Sequence, residues 1–234
     1  LKITLAENPE LILDVLSDHS VDLLEILEKG VQEKEKEERI KQYSHFIQNP
    51  IPVEVEGERA ILGDVNAPVT IYGFSDFQCP YCGKAAETIH ELIEANPGEV
   101  KFMFLHFANH DMSDVEALYF EAISLQSAEA AWKFHDEAFE LMGQIAQEPE
   151  MVLDEIVAGL GIDVEKFKND LESPELRDRV DADRAQAHLL GLQGTPTFVI
   201  GGVPLAGAYP LEEFQDILDM IQEQDATQEQ EAAQ

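Results

Sequence analysis

Phe74-Ser75-Asp76-Phe77-Gln78-Cys79-Pro80-Tyr81-Cys82 is the stretch on which the reading of this chain turns. The stretch from Val69 to Phe74 before it predicts a buried strand. The residues after it, Pro80 to Ala95, predict a helix, and Asn96-Pro97-Gly98 is a stop signal. A Cys-x-x-Cys pair therefore sits where a strand hands over to a helix. Cys79 takes the N-cap, where unpaired backbone N–H groups and the helix dipole favour a thiolate. Pro80 suits the first helical position. Cys82 follows within one turn, so the two sulfurs can close a small ring. This assigns Cys79 as the nucleophile on a disulfide and Cys82 as the thiol that resolves the mixed disulfide.

The competing reading of the pair is half a zinc site. That needs two further ligands, and the chain has no second such pair; its only cysteines are these two. His106 and His110 are the nearest histidines. Redox use is the stronger reading of a lone pair in an α/β setting. With no third cysteine there is no structural disulfide, so cysteine content does not identify the compartment.

Working outward, Val100 to Leu105 predicts another strand. A helical stretch of roughly 113–190 follows, punctuated by Pro149, Gly159-Leu160-Gly161 and Pro174. Gly194-Thr195-Pro196-Thr197 then leads into a strand at Phe198 to Ile200. Thr195-Pro196 stands at strand entry after a glycine, a position that suits a cis bond. There the Pro196 ring would cover the sulfurs and the Thr195 backbone would pair with an extended client segment. Gly201-Gly202 signals a hairpin before Val203 to Leu205, and Pro210 to Ile221 reads as a last amphipathic helix. The order is strand, helix, strand, helical block, strand, strand, helix. It predicts one α/β domain at 51–222 with a helical insertion. Val53-Glu54-Val55-Glu56 predicts an edge strand, Asp64 to Pro68 a loop, and 223–234 a disordered tail.

Residues 1–50 read differently. Asn8-Pro9 is an N-cap followed by proline, with Leu11, Ile12, Val15 and Leu16 on one face of a short helix. A second helix from Ser20 carries Leu23, Ile26, Leu27 and Val31 on one face, then turns almost wholly charged from Glu33 to Arg39. Glu35 with Arg39 and Glu37 with Lys41 are favourable i,i+4 pairs. Two apolar faces on helices too short to stand alone predict self-association through residues 1–47.

Fifteen basic and 48 acidic residues give a net charge of −33. Such a surface repels nucleic acid and anionic lipid, so neither is expected as a partner. The longest apolar runs are strand-sized, and no membrane span is expected. Leu1 in place of methionine suggests a processed start.

The two motifs together, Phe74 to Cys82 and Gly194 to Gly202, resemble the bacterial DsbA-like proteins, over about Ile61 to Ile221. The resemblance implies a thioredoxin-like fold with a DsbA-type helical insertion. It implies a protein disulfide oxidoreductase or isomerase, periplasmic or otherwise exported, with no cofactor and no metal. Cys79 and Cys82 would be catalytic, with Pro80, Tyr81, Thr195 and Pro196 against the substrate. Partners would be client proteins with thiols or disulfides and a separate redox protein that reoxidises or reduces the site. Ala131-Trp132-Lys133-Phe134-His135-Asp136-Glu137-Ala138-Phe139 resembles the family's aromatic-His-Asp helix, with a packing role. The N-terminal segment resembles the extensions of oligomeric relatives, among them the suppressor-of-copper-sensitivity proteins. That favours a dimer or trimer with isomerase or reductase work. The rivals are a monomeric DsbA-type oxidase and, from another class, a holdase chaperone or copper-binding protein. Two departures stand out. The dipeptide Pro80-Tyr81 resembles the isomerase-like DsbG, and Gly73 replaces the buried acid that many relatives carry six residues before the first cysteine. Asp76 is the nearest acid in sequence, with a solvated or helix-capping role as its alternative.

Overall fold

The computed structural model describes residues 10–110 and 112–232; Leu1 and the Asn8-Pro9 helix start lie outside them, as does the side chain of Leu11. The chain divides into two compact units, 1–45 and 46–234. In the first, helix α1 spans Glu10–Asp18 and helix α2 runs from Ser20 to Gln48, through the division. Ile12, Val15, Leu16, Ile26, Leu27 and Val31 are all exposed. The charged stretch from Glu33 to Arg39 is helical throughout.

The second unit is built on a five-stranded sheet: β1 (Ile61–Gly63), β2 (Val69–Ser75), β3 (Val100–His106), β4 (Thr197–Ile200) and β5 (Val203–Ala206). Its order is β1-β3-β2-β4-β5. The β2–β3 pair is parallel, in register from Val69 opposite Val100 to Ser75 opposite His106. The remaining neighbours are antiparallel. β2 is central, with Val69, Ile71 and Gly73 to Ser75 buried and Thr70 and Tyr72 half-buried.

Helix α3 (Pro80–Ala95) leaves the end of β2. The insertion follows as α4 (Ser113–Ser124), α5 (Ala128–Glu140), α6 (Met142–Ile145), α7 (Pro149–Gly159), α8 (Val164–Leu171) and α9 (Pro174–Leu189). Prolines open α7 and α9 at the first helical turn, and Ser127 caps α5 by accepting from Ala130 N–H at 3.1 Å. Helix α10 spans Leu211–Ala232.

Two expectations need correcting. Val53 and Val55 do alternate, but they lie with Ile51 on a face of the sheet, over Phe74, Leu105, Phe107, Ala187 and Val199, and form no strand. Alternation marks a half-buried extended segment whether or not it joins a ladder. The edge strand is instead Ile61–Gly63, against Met103 to Lys101 of β3. The expected tail after Gln222 continues α10 to Ala232, with residues 233–234 outside the described part. Gln, Glu and Ala there are good helix formers, and extending an anchored helix avoids the cost of nucleation.

Candidate active site

The handover from β2 to α3 is tied down by Asp76, which is buried and not solvated. Its Oδ1 accepts from Gln78 N–H at 2.8 Å and from the Ser113 hydroxyl. Its Oδ2 accepts from Asn109 N–H at 2.6 Å and from His110 Nδ1 at 2.8 Å. One carboxylate thereby fixes the loop that presents Cys79.

Cys79 is the N-cap of α3, with Pro80 in the first turn. Its carbonyl accepts from Cys82 N–H at 2.9 Å and Gly83 N–H at 3.3 Å. The two thiols are free, and the cysteines lie 3.6 Å apart. They are not alike. Cys79 is brought down to about 5 by donation from the Cys82 thiol, against its own burial, with help from Thr195 and from the Cys82 and Tyr81 N–H groups. Cys82 is pushed far up by burial and by the neighbouring Cys79 sulfur; Ser75 and the Asp76 backbone oppose this only in part.

The Thr195–Pro196 peptide is cis, and the Thr195 carbonyl lies 3.5 Å from Cys79 Sγ. Pro196 is buried, and its carbonyl accepts from Gly207 N–H at 2.9 Å. Tyr81 is 64% exposed, so the pair has an aromatic ring facing outward beside it. The structure thus brings together all six residues singled out in the sequence: Cys79, Pro80, Tyr81, Cys82, Thr195 and Pro196.

Three features at the site were not read from the sequence. Gln78, the residue before Cys79, donates from Nε2 to both carboxylate oxygens of Glu116 at 2.8 Å. Burial raises Glu116 to about 7, with Asp76 adding to the rise and Gln78 opposing it. Behind Cys82 lies a cavity of about 10 Å³, lined among others by Ser75, Cys82, His90, Trp132 and His135. Gly73 contributes no side chain near it: a Cβ there would lie 2.5 Å from the Phe102 ring, and Phe102 itself lines the cavity. His135, from the aromatic-His-Asp helix, lines the same cavity.

Among the described residues, one set brings metal-type donor atoms together: His90, His135 and Asp136, within 4.8 Å of one another. Both imidazoles meet the same oxygen, His135 Nδ1 at 2.8 Å and His90 Nε2 at 2.9 Å from Asp136 Oδ1. These are hydrogen-bond lengths, and the set is a bonded triad. Neither cysteine belongs to it. His106 and His110 are engaged elsewhere, with Glu121 and Asp76.

A sheet of this order with a Cys-x-x-Cys pair opening its first helix and a cis proline opposite defines a thioredoxin-fold protein. Residues 55–220 match the thioredoxin family Thioredoxin_4, and the chain belongs to that family. A probable disulfide bond formation protein D of Bacillus anthracis is 33% identical over 150 residues, covering 60% of this chain and 69% of that one. A Na(+)/H(+) antiporter NhaA of Herminiimonas arsenicoxydans is 30% identical over 183 residues, 78% of this chain; the chain spans only 28% of that protein's length. Among solved structures, a thioredoxin-like oxidoreductase from Silicibacter pomeroyi superposes with TM-score 0.60 at 26% identity, covering 72% of this chain and 94% of that one. The thiol-disulfide exchange protein alpha-DsbA2 from Wolbachia pipientis shares the fold, with TM-score 0.64 at 23% identity, covering 82% and 98%. Fold, pair and relatives make the chain a DsbA-like thiol–disulfide oxidoreductase.

Proposed function

We propose that the chain is an exported, self-associating oxidoreductase that reshuffles or reduces disulfides of client proteins, with Cys79 attacking and Cys82 resolving. The observation that carries the division of labour is the asymmetry of the pair. At neutral pH Cys79 is a thiolate and Cys82 a thiol, so only Cys79 attacks unaided. An extended client segment pairs with the Thr195 backbone, and Pro80 and the exposed Tyr81 ring contact it beside the sulfur. A separate redox protein resets the site.

The preference for isomerase or reductase work rests on assembly. The apolar residues of α1 and α2 named above are exposed, and α1 is too short to persist alone in water. Covering what is still exposed of each such side chain contributes on the order of 1 kcal/mol. A second or third copy of the same segment is the simplest cover. Several catalytic domains then hold one misbridged client, which suits reshuffling over simple oxidation.

The test has two arms. Iodoacetamide at mildly acidic pH should alkylate Cys79 alone; alkylation of Cys82 first would reverse the roles. Scrambled and reduced ribonuclease, assayed side by side with the full chain and with Ile12→Glu/Leu16→Glu, should show isomerase activity falling with sedimentation to monomer while dithiol oxidation persists. A full-length chain that already sediments as a monomer at micromolar concentration removes the assembly and the isomerase preference together, and favours the monomeric oxidase.

A further inference from the structure

For Cys82 to resolve a mixed disulfide it must lose its proton, and it is 2% exposed. The groups able to take that proton are those around the cavity behind it. Among the residues lining that cavity, the ionisable ones besides Cys82 are His90 and His135. Its volume of about 10 Å³ is roughly the room one water needs. It is also polar where it matters. Trp132 lines it, and the indole N–H of Trp132 is the one buried side-chain donor or acceptor without a partner among the described residues. Such a group, left alone, is costly, and a bound water removes that cost.

We propose that His135 is the proton-relay residue for Cys82, reached through a water held in this cavity by the Trp132 indole, and that Asp136 orients it. The inference rests on the thiol–disulfide reading of the pair. Burial keeps the His135 imidazole neutral, the form that accepts a proton. Its Nδ1–H is committed to Asp136 Oδ1 at 2.8 Å, which leaves Nε2 as the acceptor. In resolution the Cys82 Sγ–H proton passes to the water, and the water's proton to His135 Nε2. The Cys82 thiolate then attacks Cys79 Sγ, the Cys79–client bond breaks, and the client leaves as a thiolate. Two electrons have moved from the pair to the client. In the opposite direction a client thiolate attacks Cys79, Cys82 leaves as a thiolate, and the proton returns from His135. Asp136 also meets His90 Nε2, and both side chains reach the surface, so the triad links the buried imidazole to solvent.

The charged and titratable groups facing His135 are Asp136 on its own helix, His90 and Cys82 on α3, and His106 on β3. Rapid mixing of the full reduced chain with a fluorescent glutathione disulfide separates first attack from resolution. His135→Asn should leave first attack unchanged and slow resolution at neutral pH by at least about 100-fold, the low end of general-base effects. The slowed step should then rise about tenfold per pH unit, as hydroxide takes over. Because His135 is wholly buried, Asp136→Asn is the second variant. It keeps the imidazole in place and should slow resolution about three- to tenfold, with the pH profile displaced. A slowing of resolution smaller than about 100-fold in folded His135→Asn, or an unmoved pH profile in Asp136→Asn should His135→Asn not fold, overturns the relay. Loss of first attack in the parent chain would sink the underlying reading of the pair instead.

Discussion

Helix α4 carries two buried acids, Glu116 and Glu121, and the fold treats them in opposite ways. Burial alone would raise both. Glu121 is nonetheless held at about 2, because His106, Arg59 and Arg179 surround it. Its Oε1 accepts from Arg59 NH1 and His106 Nε2, each at 3.0 Å, and its Oε2 from Arg179 NH1 at 2.7 Å. Arg59 also grips Asp183 with two bonds of 2.7 and 2.9 Å. Glu116 receives the neutral amide of Gln78, next to the carboxylate of Asp76, and rises to about 7. The same residue type on the same helix becomes a permanent anion in one place and a titrating group in the other. Positive partners make the difference. The charged network braces the insertion against the sheet, while the poised acid sits one residue from the nucleophile through Gln78.

Removing the cations should break the contrast most violently. Arg59→Met leaves Glu121 and Asp183 buried with less compensation, and about 3–5 kcal/mol of stability should be lost in urea unfolding at neutral pH. A loss under about 1 kcal/mol would mean the network is solvated and braces nothing.

The two acids should also leave opposite marks on stability against pH. Glu121 has a folded pKa below its unfolded one, so its contribution is full above about pH 4.5 and lost as the pH falls toward 2. Glu116 has a raised folded pKa, so stability is full below about pH 4.5 and declines as the pH rises through 7. Glu116→Gln should therefore stabilise the protein by on the order of 2–3 kcal/mol at pH 8 and change little at pH 4. Thermal melts at the two pH values decide it; equal effects at both would place the shift elsewhere.

The smallest effect sharpens the comparison most finely. Gln78→Leu removes the amide that holds Glu116, and its carboxyl should titrate about one unit higher by carbon NMR. No movement would mean that Gln78 is not what moderates the acid.

Much of this was legible beforehand and some was not, for identifiable reasons. The pair at Cys79 and Cys82, the proline at 196 and the breaks at Pro149, Gly159 and Pro174 are local signals, since proline and glycine act on their own backbone. The strand β1 is three residues long and alternates too little to be seen. The network of Arg59, Glu121 and Asp183 joins positions that only the finished fold brings together. Gln78 and Glu116 are likewise separated by α3 and β3. His135 was visible as part of a motif but read as packing, because nothing in the spacing reveals that its ring and Cys82 border one cavity.

The position of β2 has a consequence for how the molecule is made. It is the central strand, with β3 on one side and β4 on the other, yet β4 begins only at Thr197, after the entire helical insertion. A chain emerging from the ribosome at about 5–20 residues per second therefore holds one edge of its central strand unpaired for on the order of ten seconds. The nascent chain carries its reactive cysteines at the end of that open edge. An open edge of this kind is a template for pairing with other chains, and it stays open until β4 arrives.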